Sequence, residues 1–388
     1  MTVVRRLDPE RAARVVLSRV GEPGDPRLTG LVAELGAATV LASLREQGAS
    51  GQLRDDLAAR LEHTDPAGEL ERAERLGIRF VTPADDEWPA GLDDLAHGPP
   101  LHERGGVPVG LWLKGPALLG SLAARSIAVV GSRSATTYGA DVAGDIGAAL
   151  GEAGHTVVSG AAFGIDQAAH RGALAVDGPT VAVLACGVDR AYPAAHRRLL
   201  DYIAEVGVVV SEAAPGCAPT RIRFLARNRL IAAMSQGTVV VEAAIRSGAL
   251  NTANWAAGLS RTLMGVPGPV TSEPSAGVHQ LIRTRGALLV TDGREVLEAV
   301  APAGEHLLAP AHEPARARDL LTTEQRQVLD AVPVQRGAVP AKIAHTAGLA
   351  PHRVEEALGD LSTAGLVECA SGRWRLSAGA GGAVAPPL

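Results

Sequence analysis

The chain has 388 residues, 46% of them hydrophobic and 20% charged, with a formal net charge of -5. That length accommodates about two or three domains, and that composition excludes a chain that is disordered throughout. Aromatic residues make up only 3%, so the core must be built from Val, Leu, Ile and Ala, and an extended platform for stacking bases is excluded.

Residues 1–76 read as a helical module. Arg11–Val20, Pro26–Leu35, Ala38–Gln47 and Gln52–Leu76 carry apolar residues at three- and four-residue spacing, interrupted at Gly21-Glu22-Pro23-Gly24 and at Gly48. The module holds no cluster of chemistry-bearing residues, which suits packing or assembly. From Ile78 the pattern changes to short apolar runs alternating with helical stretches. The strands expected are Ile78–Val81, Gly110–Leu113, Ile127–Val130, Thr156–Val158, Val181–Leu184, Val208–Val210, Thr238–Val241, Thr262–Gly265 and Ala287–Val290. Helices are expected at Tyr138–Ala153, Gly164–Val176, Ala194–Val206, Arg223–Met234, Ala249–Leu259 and Glu295–Val300. Near-continuous Val, Ile and Ala runs mark strands buried on both faces, and their alternation with helices predicts an α/β, doubly wound sheet over 77–302.

Residues 303–319 are rich in Pro, Ala and charge and read as a linker. Helices at Thr322–Val332, Pro340–Ala347 and Pro351–Ala364, then strands Leu366–Glu368 and Trp374–Leu376 around Ser371-Gly372, give the element order of a winged helix over 320–377. The Gly, Ala and Pro-rich stretch 378–388 reads as a disordered tail. Met1–Pro9 has no apolar run and no stretch of 18 apolar residues occurs, so neither a signal peptide nor a membrane span is expected. Cys186, Cys217 and Cys369 are odd in number and widely spaced, which fits a reducing, cytoplasmic setting and no metal site.

The chemistry concentrates in loops that follow strands. Gly131-Ser132-Arg133, the run Ser159-Gly160-Ala161-Ala162-Phe163-Gly164-Ile165-Asp166, the stretch Gly187 to Tyr192-Pro193, and Ser247-Gly248 follow four predicted strands. In a parallel sheet these loops open on one edge and should meet in one crevice. The glycines let backbone N–H groups approach a ligand, the serines add hydroxyls, and helix N-termini point at the crevice, all of which favours an anion. Between Pro219 and Arg261 there are six arginines and one acidic residue, Glu242, inside an acidic chain. Only Lys114 and Lys342 are lysines, so the cations are planar forks suited to phosphate. The loop at Gly131 is not G-x-G-x-x-G, the second strand ends in Ser159 where a dinucleotide site needs an acid, and no Walker A loop occurs. Asp166 and His170, four apart on one helix, have the spacing of an acid–base pair, but a helix-start bond that pins the loop is the simpler reading. Glu242 is expected to orient the Arg/Asn cluster rather than act as a base.

Gly131-Ser132-Arg133 with Tyr138-Gly139, Ser159-Gly160-x-Ala162-x-Gly164-Ile165-Asp166 with His170, Tyr192-Pro193, Ser211-Glu212, Phe224 with Arg227-Asn228-Arg229-x-Ile231, Val241-Glu242-Ala243 with Ser247-Gly248, and Pro267-Gly268 occur in that order. The succession resembles the DprA/Smf (DNA-processing protein A) family, densely over residues 85–290. Asp86-x-Trp88-Pro89 and Pro100-Leu101 resemble its lead-in. The resemblance implies an extended Rossmann-like domain with an N-terminal SAM-like module and a C-terminal winged helix. It also implies a homodimeric, non-catalytic, cytoplasmic protein without cofactor that binds single-stranded DNA, protects incoming strands in natural transformation and loads the RecA recombinase.

Carried over residue by residue, the family's DNA pocket falls on Gly131, Ser132, Arg133, Ser159, Gly160, Gly164, Asp166, Arg227, Asn228, Arg229, Ser247 and Gly248. Phe163 stands where many relatives place Lys or Arg, and Leu225 where Pro usually follows the Phe. Phe163, in its Gly-flanked loop, is the expected stacking residue, whereas Phe224 reads as core. A nucleotide phosphoribohydrolase of the lysine-decarboxylase-like type is the alternative. Its Pro-Gly-Gly-x-Gly-Thr motif is missing; Pro267-Gly268-Pro269 is the nearest string.

Overall fold

The computed structural model describes residues 8–46, 52–62, 64–308 and 317–377. The chain forms two compact units, Met1–Leu308 and Ala309–Leu388.

The first unit is organised by a nine-stranded sheet. Its strands are β1 (Ile78–Val81), β2 (Leu111–Lys114), β3 (Ser126–Val130), β4 (Thr156–Ser159), β5 (Thr180–Leu184), β6 (Val208–Ser211), β7 (Gly237–Val240), β8 (Thr262–Gly265) and β9 (Leu288–Leu289), in the spatial order β1-β2-β6-β5-β4-β3-β7-β8-β9. The seven strands β3–β9 are parallel. The first two differ: β2 runs antiparallel to β6, and β1 antiparallel to β2, so they extend the sheet without a crossover helix. Alternation along β3 shows why both faces are apolar. Ala128 and Val130 join a core with Leu230, Ile231 and Trp255, while Ile127 and Val129 join one with Ile146, Leu150 and Ile165. The chain winds outward from β3 to β6, then returns to place β7 against β3 and continues to β9. The border between β3 and β7 is therefore the topological switch point.

Five helices precede the sheet: Pro9–Val20, Pro26–Leu35, Ala37–Arg45, Gln52–Leu61 and Pro66–Arg75. The single helix expected over 52–76 is two, because Asp65 caps a new one by accepting from Ala67 N and Gly68 N, with Pro66 at its first position. Arg11 ties the first helix to the sheet region through Asp85, at 2.9 and 3.0 Å, and the Phe80 carbonyl. A helix at Glu273–Arg285 was not expected from its sequence, which carries Pro274 and Gly277. Gly277 sits so close to the Ala243 carbonyl that a side chain there would collide with it. Among the described residues no single helix is long and apolar enough to cross a membrane.

In the second unit, helices Thr323–Ala331, Pro340–Ala347 and Pro351–Thr363 enclose Val328, Ile343, Leu358 and Leu361. The hairpin Val367–Ala370/Arg373–Leu376 follows, with Ala338 bridged to Trp374. Residues 309–316 of the expected linker, Gln47 at the expected end of the third helix, and the tail 378–388 lie outside the described residues.

Candidate functional site

The carboxyl ends of β3 and β7 open on a cavity of about 750 Å³. Five loops contribute to its lining: Gly131–Ser134 after β3, Ala162 and Asp166 after β4, Tyr192 after β5, Pro219–Arg221 after β6, and Ala244 and Arg246–Ala249 after β7. Segments more than a hundred residues apart thus converge because parallel strands end on one edge.

The floor is built from backbone held in close contact. Ser132 N donates to Glu242 O at 2.7 Å and Ile165 N to Ser132 O at 3.1 Å, which brings three loops together at Gly131. A Cβ on Gly131 would sit 2.5 Å from Ile165 and 2.8 Å from Glu242 O. Gly164 does not line the cavity; it backs the Ser132 turn, with φ +77° and the Ser132 carbonyl beside it, a conformation that suits glycine. Ser132 Oγ accepts from Ser134 N, and Ser247 Oγ accepts from Ala249 N at the start of the helix Ala249–Gly258. These bonds fix the turns at the cavity mouth and leave the hydroxyl hydrogens of Ser132 and Ser247 available to a ligand.

The helix Arg221–Met234 forms one wall. Arg227 is buried; its Nη1 donates to Val183 O at 2.6 Å and its Nε to Asn228 Oδ1 at 3.2 Å. Asn228 Nδ2 donates to Asn251 Oδ1 and to Gly248 O. Burial pushes the Arg227 guanidinium down to about 10, with the Asp166 carboxylate pulling the other way and Arg133 adding to the fall. Burial pushes the Asp166 carboxyl up, opposed by Arg227 and by the Ala162 and Gly160 N–H groups.

Of the residues singled out in the sequence, Gly131, Ser132, Arg133, Asp166, Arg227, Asn228, Ser247 and Gly248 line the cavity. Gly160 lies just behind Arg227: a Cβ there would stand 1.8 Å from Arg227 Nη1. Ser159 is buried and donates to Val129 O at 2.6 Å, so it joins neighbouring strands instead of facing a ligand. Arg229 must be corrected. Its guanidinium is fully buried and closed on Glu212, with further bonds to Gly106 O and Ala226 O, and it is not a cavity residue. Glu242 does not orient the Arg/Asn cluster; it accepts from Thr136 N and Oγ1 at 2.9 and 2.6 Å and fixes the entry to the helix Thr137–Glu152. Asp166 accepts from Gly160 N and Ala162 N, and His170 faces Thr180 Oγ1, so the two do not act on a shared proton.

The aromatic assignment also reverses. Phe163 is exposed and packs edge-on against His196 at 4.5 Å, outside the cavity lining. Phe224 lines the cavity, with the Arg133 guanidinium 4.8 Å above its ring and Tyr192 at 5.5 Å. Arg221 and Arg246 line it as well, and both are exposed. Residues 221, 224, 228 and 231 recur at three- and four-residue spacing on one face of the helix, and this spacing was the signal available in the sequence. Among the described residues, Arg133, Arg221 and Arg246 make no ion pair, so three exposed cations stand around an opening lined by Gly-Ser turns.

The family model of DNA recombination-mediator protein A matches residues 79–301. A Mycobacterium tuberculosis protein that carries the DprA name is 47% identical over 382 residues, 98% of each chain. The DNA processing protein DprA of Streptococcus pneumoniae is 43% identical over 213 residues, 55% of this chain and 71% of its own. The X-ray structure of DNA processing protein A from Streptococcus pneumoniae superposes with a TM-score of 0.61 at 31% identity, covering 76% of this chain and 99% of that one.

Proposed function

The chain belongs to the DNA recombination-mediator protein A family, and from that premise we propose that its switch-point cavity grips the sugar-phosphate track of single-stranded DNA. The observation that carries the reading is the ring of unpaired Arg133, Arg221 and Arg246 around a floor of Gly-Ser turns. Such a site neutralises phosphates without reading base edges, so binding follows the backbone and weakens steeply with salt. Phe224 and Tyr192 add one short aromatic contact for an unpaired base.

On this reading the bound strand is protected and handed to the RecA recombinase during natural transformation or other DNA processing, by a homodimer that performs no covalent chemistry. The commitments of the carboxylates support the non-catalytic part. Asp166 and Glu242, the acids a hydrolytic mechanism would recruit, are both spent on holding loop N–H groups.

Fluorescence anisotropy with labelled oligo-dT at two salt concentrations tests the strand-binding claim. Saturable, salt-sensitive binding is expected, and a flat titration at low salt would end it. RecA-promoted strand exchange on DNA pre-coated with single-strand-binding protein tests the loading claim, which predicts a shortened lag when this protein is added.

A further inference from the structure

The segment Arg19–Gly24, at the end of the first helix, lies against the wall of the cavity from behind. The two carboxylate oxygens of Glu22 accept from Nε and Nη2 of Arg223, each at 2.9 Å. The third nitrogen of Arg223, Nη1, donates to Ala218 O at 2.7 Å. Arg19 Nη1 reaches Cys217 Sγ at 3.8 Å, and Gly24 N donates to Glu212, the partner of Arg229. Pro23 shares a small void with Arg223, Arg227 and Glu212. Every one of these contacts touches either the run 217–229, which supplies Pro219, Thr220, Arg221, Phe224, Arg227 and Asn228 to the cavity, or Glu212 just before it.

Arg223 is the informative residue. It sits two positions from Arg221 in a cationic stretch, yet each of its guanidinium nitrogens is engaged and its side chain is only 13% exposed. A planar fork held at three nitrogens is a connector with a fixed geometry. One side of it holds the loop that enters the helix, the other the N-terminal module.

We propose that Glu22 is a positioning residue for the cavity. Through Arg223 it fixes the start of the helix Arg221–Met234 and hence the aim of Arg221 and Phe224. The N-terminal module is then a working part of the strand-binding apparatus. The consequence for strand affinity rests on the single-strand reading of the cavity; the geometric claim does not.

The sign of one substitution separates this idea from simple electrostatics. Glu22 is an anion near a phosphate site, so charge alone predicts that its removal tightens binding. Positioning predicts that Glu22→Gln weakens it, by roughly five-fold for a coupling between contacting residues. The effect should vanish in an Arg223→Met background, because Glu22 acts through Arg223.

The experiment has two arms on the full chain. Amide hydrogen exchange of the free protein should show faster exchange over Ala218–Phe224 in Glu22→Gln, with β7 amides unchanged as the control for folding. Oligo-dT anisotropy should show the loss of affinity and its disappearance in the double variant. Unchanged exchange, unchanged or tighter binding, or a loss that persists without Arg223 would each overturn the proposal. Failure of the wild type to bind oligo-dT would instead remove the strand-binding reading, and the exchange arm would still decide whether Glu22 positions the wall.

Discussion

The Arg229 guanidinium closes on the Glu212 carboxylate through two parallel hydrogen bonds of 2.7 and 2.8 Å, with none of the arginine side chain open to solvent. Removing one partner of such a pair leaves an uncompensated buried charge. Arg229→Ala should therefore lower unfolding stability by about 3–5 kcal/mol. Urea titration measures this, and a loss below about 1 kcal/mol would show that the pair is not buried as described.

Arg133 is expected to behave differently, since it is exposed and lines the cavity. Arg133→Ala should leave the urea midpoint unchanged and reduce affinity for oligo-dT, oligo-dA and mixed strands alike. It should also flatten the slope of log K against log salt by about 0.7, the share of one phosphate contact on a single strand. Arg221→Ala and Arg246→Ala should do the same. A loss confined to one base composition would move Arg133 from backbone contact to base reading.

The contrast between Arg229 and Arg133 marks how far the sequence could be read. Both sit in motifs that carry the family resemblance, Arg133 in the Gly131-Ser132 turn and Arg229 inside the helix Arg221–Met234. The convergence of the loops was legible because parallel strands end on one edge whatever their side chains do. Which arginine of Arg227-Asn228-Arg229 faces the cavity was not. Each helical step rotates the side chain by about 100°, so neighbours point to different partners, and Glu212 lies on another element, just past the end of β6. Phe163 is a related case: its Gly-flanked loop suggested an open ring, and the ring is exposed, but it packs on His196, more than thirty residues on, outside the cavity lining. The direction of β1 and β2 was hidden as well, because short buried runs look alike in parallel and antiparallel pairs.

Two glycines in the site differ sharply in what they tolerate. A Cβ on Gly160 would collide with the Arg227 guanidinium, whereas one on Gly248 meets nothing within 4 Å. Gly160→Ala should displace Arg227 and lower strand affinity by at least ten-fold, on the order of a lost charge-assisted hydrogen bond. Gly248→Ala should hold stability within about 0.5 kcal/mol of wild type. Equal behaviour of the two variants in anisotropy and urea titration would contradict this packing.

His170 predicts a pH dependence of stability. It is buried, and burial with His196 and Arg227 nearby brings its imidazole down to about 3. Thr180 Oγ1 donates to Val157 O, so it must accept from His170 Nδ1–H, and Nε2 has no partner to share a second proton with. The unfolded chain takes up that proton near the ordinary value of 6.5. Between these limits the unfolded state binds more protons, so His170 favours folding above pH 6.5 and loses that contribution as pH falls toward 3. The slope from this one group is about 1.4 kcal/mol per pH unit. His170→Asn, which keeps a donor at the Nδ1 position, should flatten the urea midpoint between pH 6 and pH 4; an unchanged profile would assign the acid sensitivity to other groups.

The second unit should be dispensable for strand binding. Three of its basic side chains are held by acids: Arg353 pairs with Glu324 at 2.8 Å, Arg375 with Glu368 at 2.5 Å and Arg318 with Asp330 at 2.5 Å. The helix Pro351–Thr363 also presents Glu355, Glu356 and Asp360 to solvent, a face that repels phosphate in a major groove. This surface suits contact with a protein better than with a duplex. Deleting residues 306–388 should therefore leave oligo-dT affinity within about three-fold of wild type, a change of under 1 kcal/mol. It should also leave binding to a blunt duplex unchanged. Loss of all strand binding in the truncated chain, with its thermal transition intact, would place a nucleic-acid contact in the second unit and sink this division of labour.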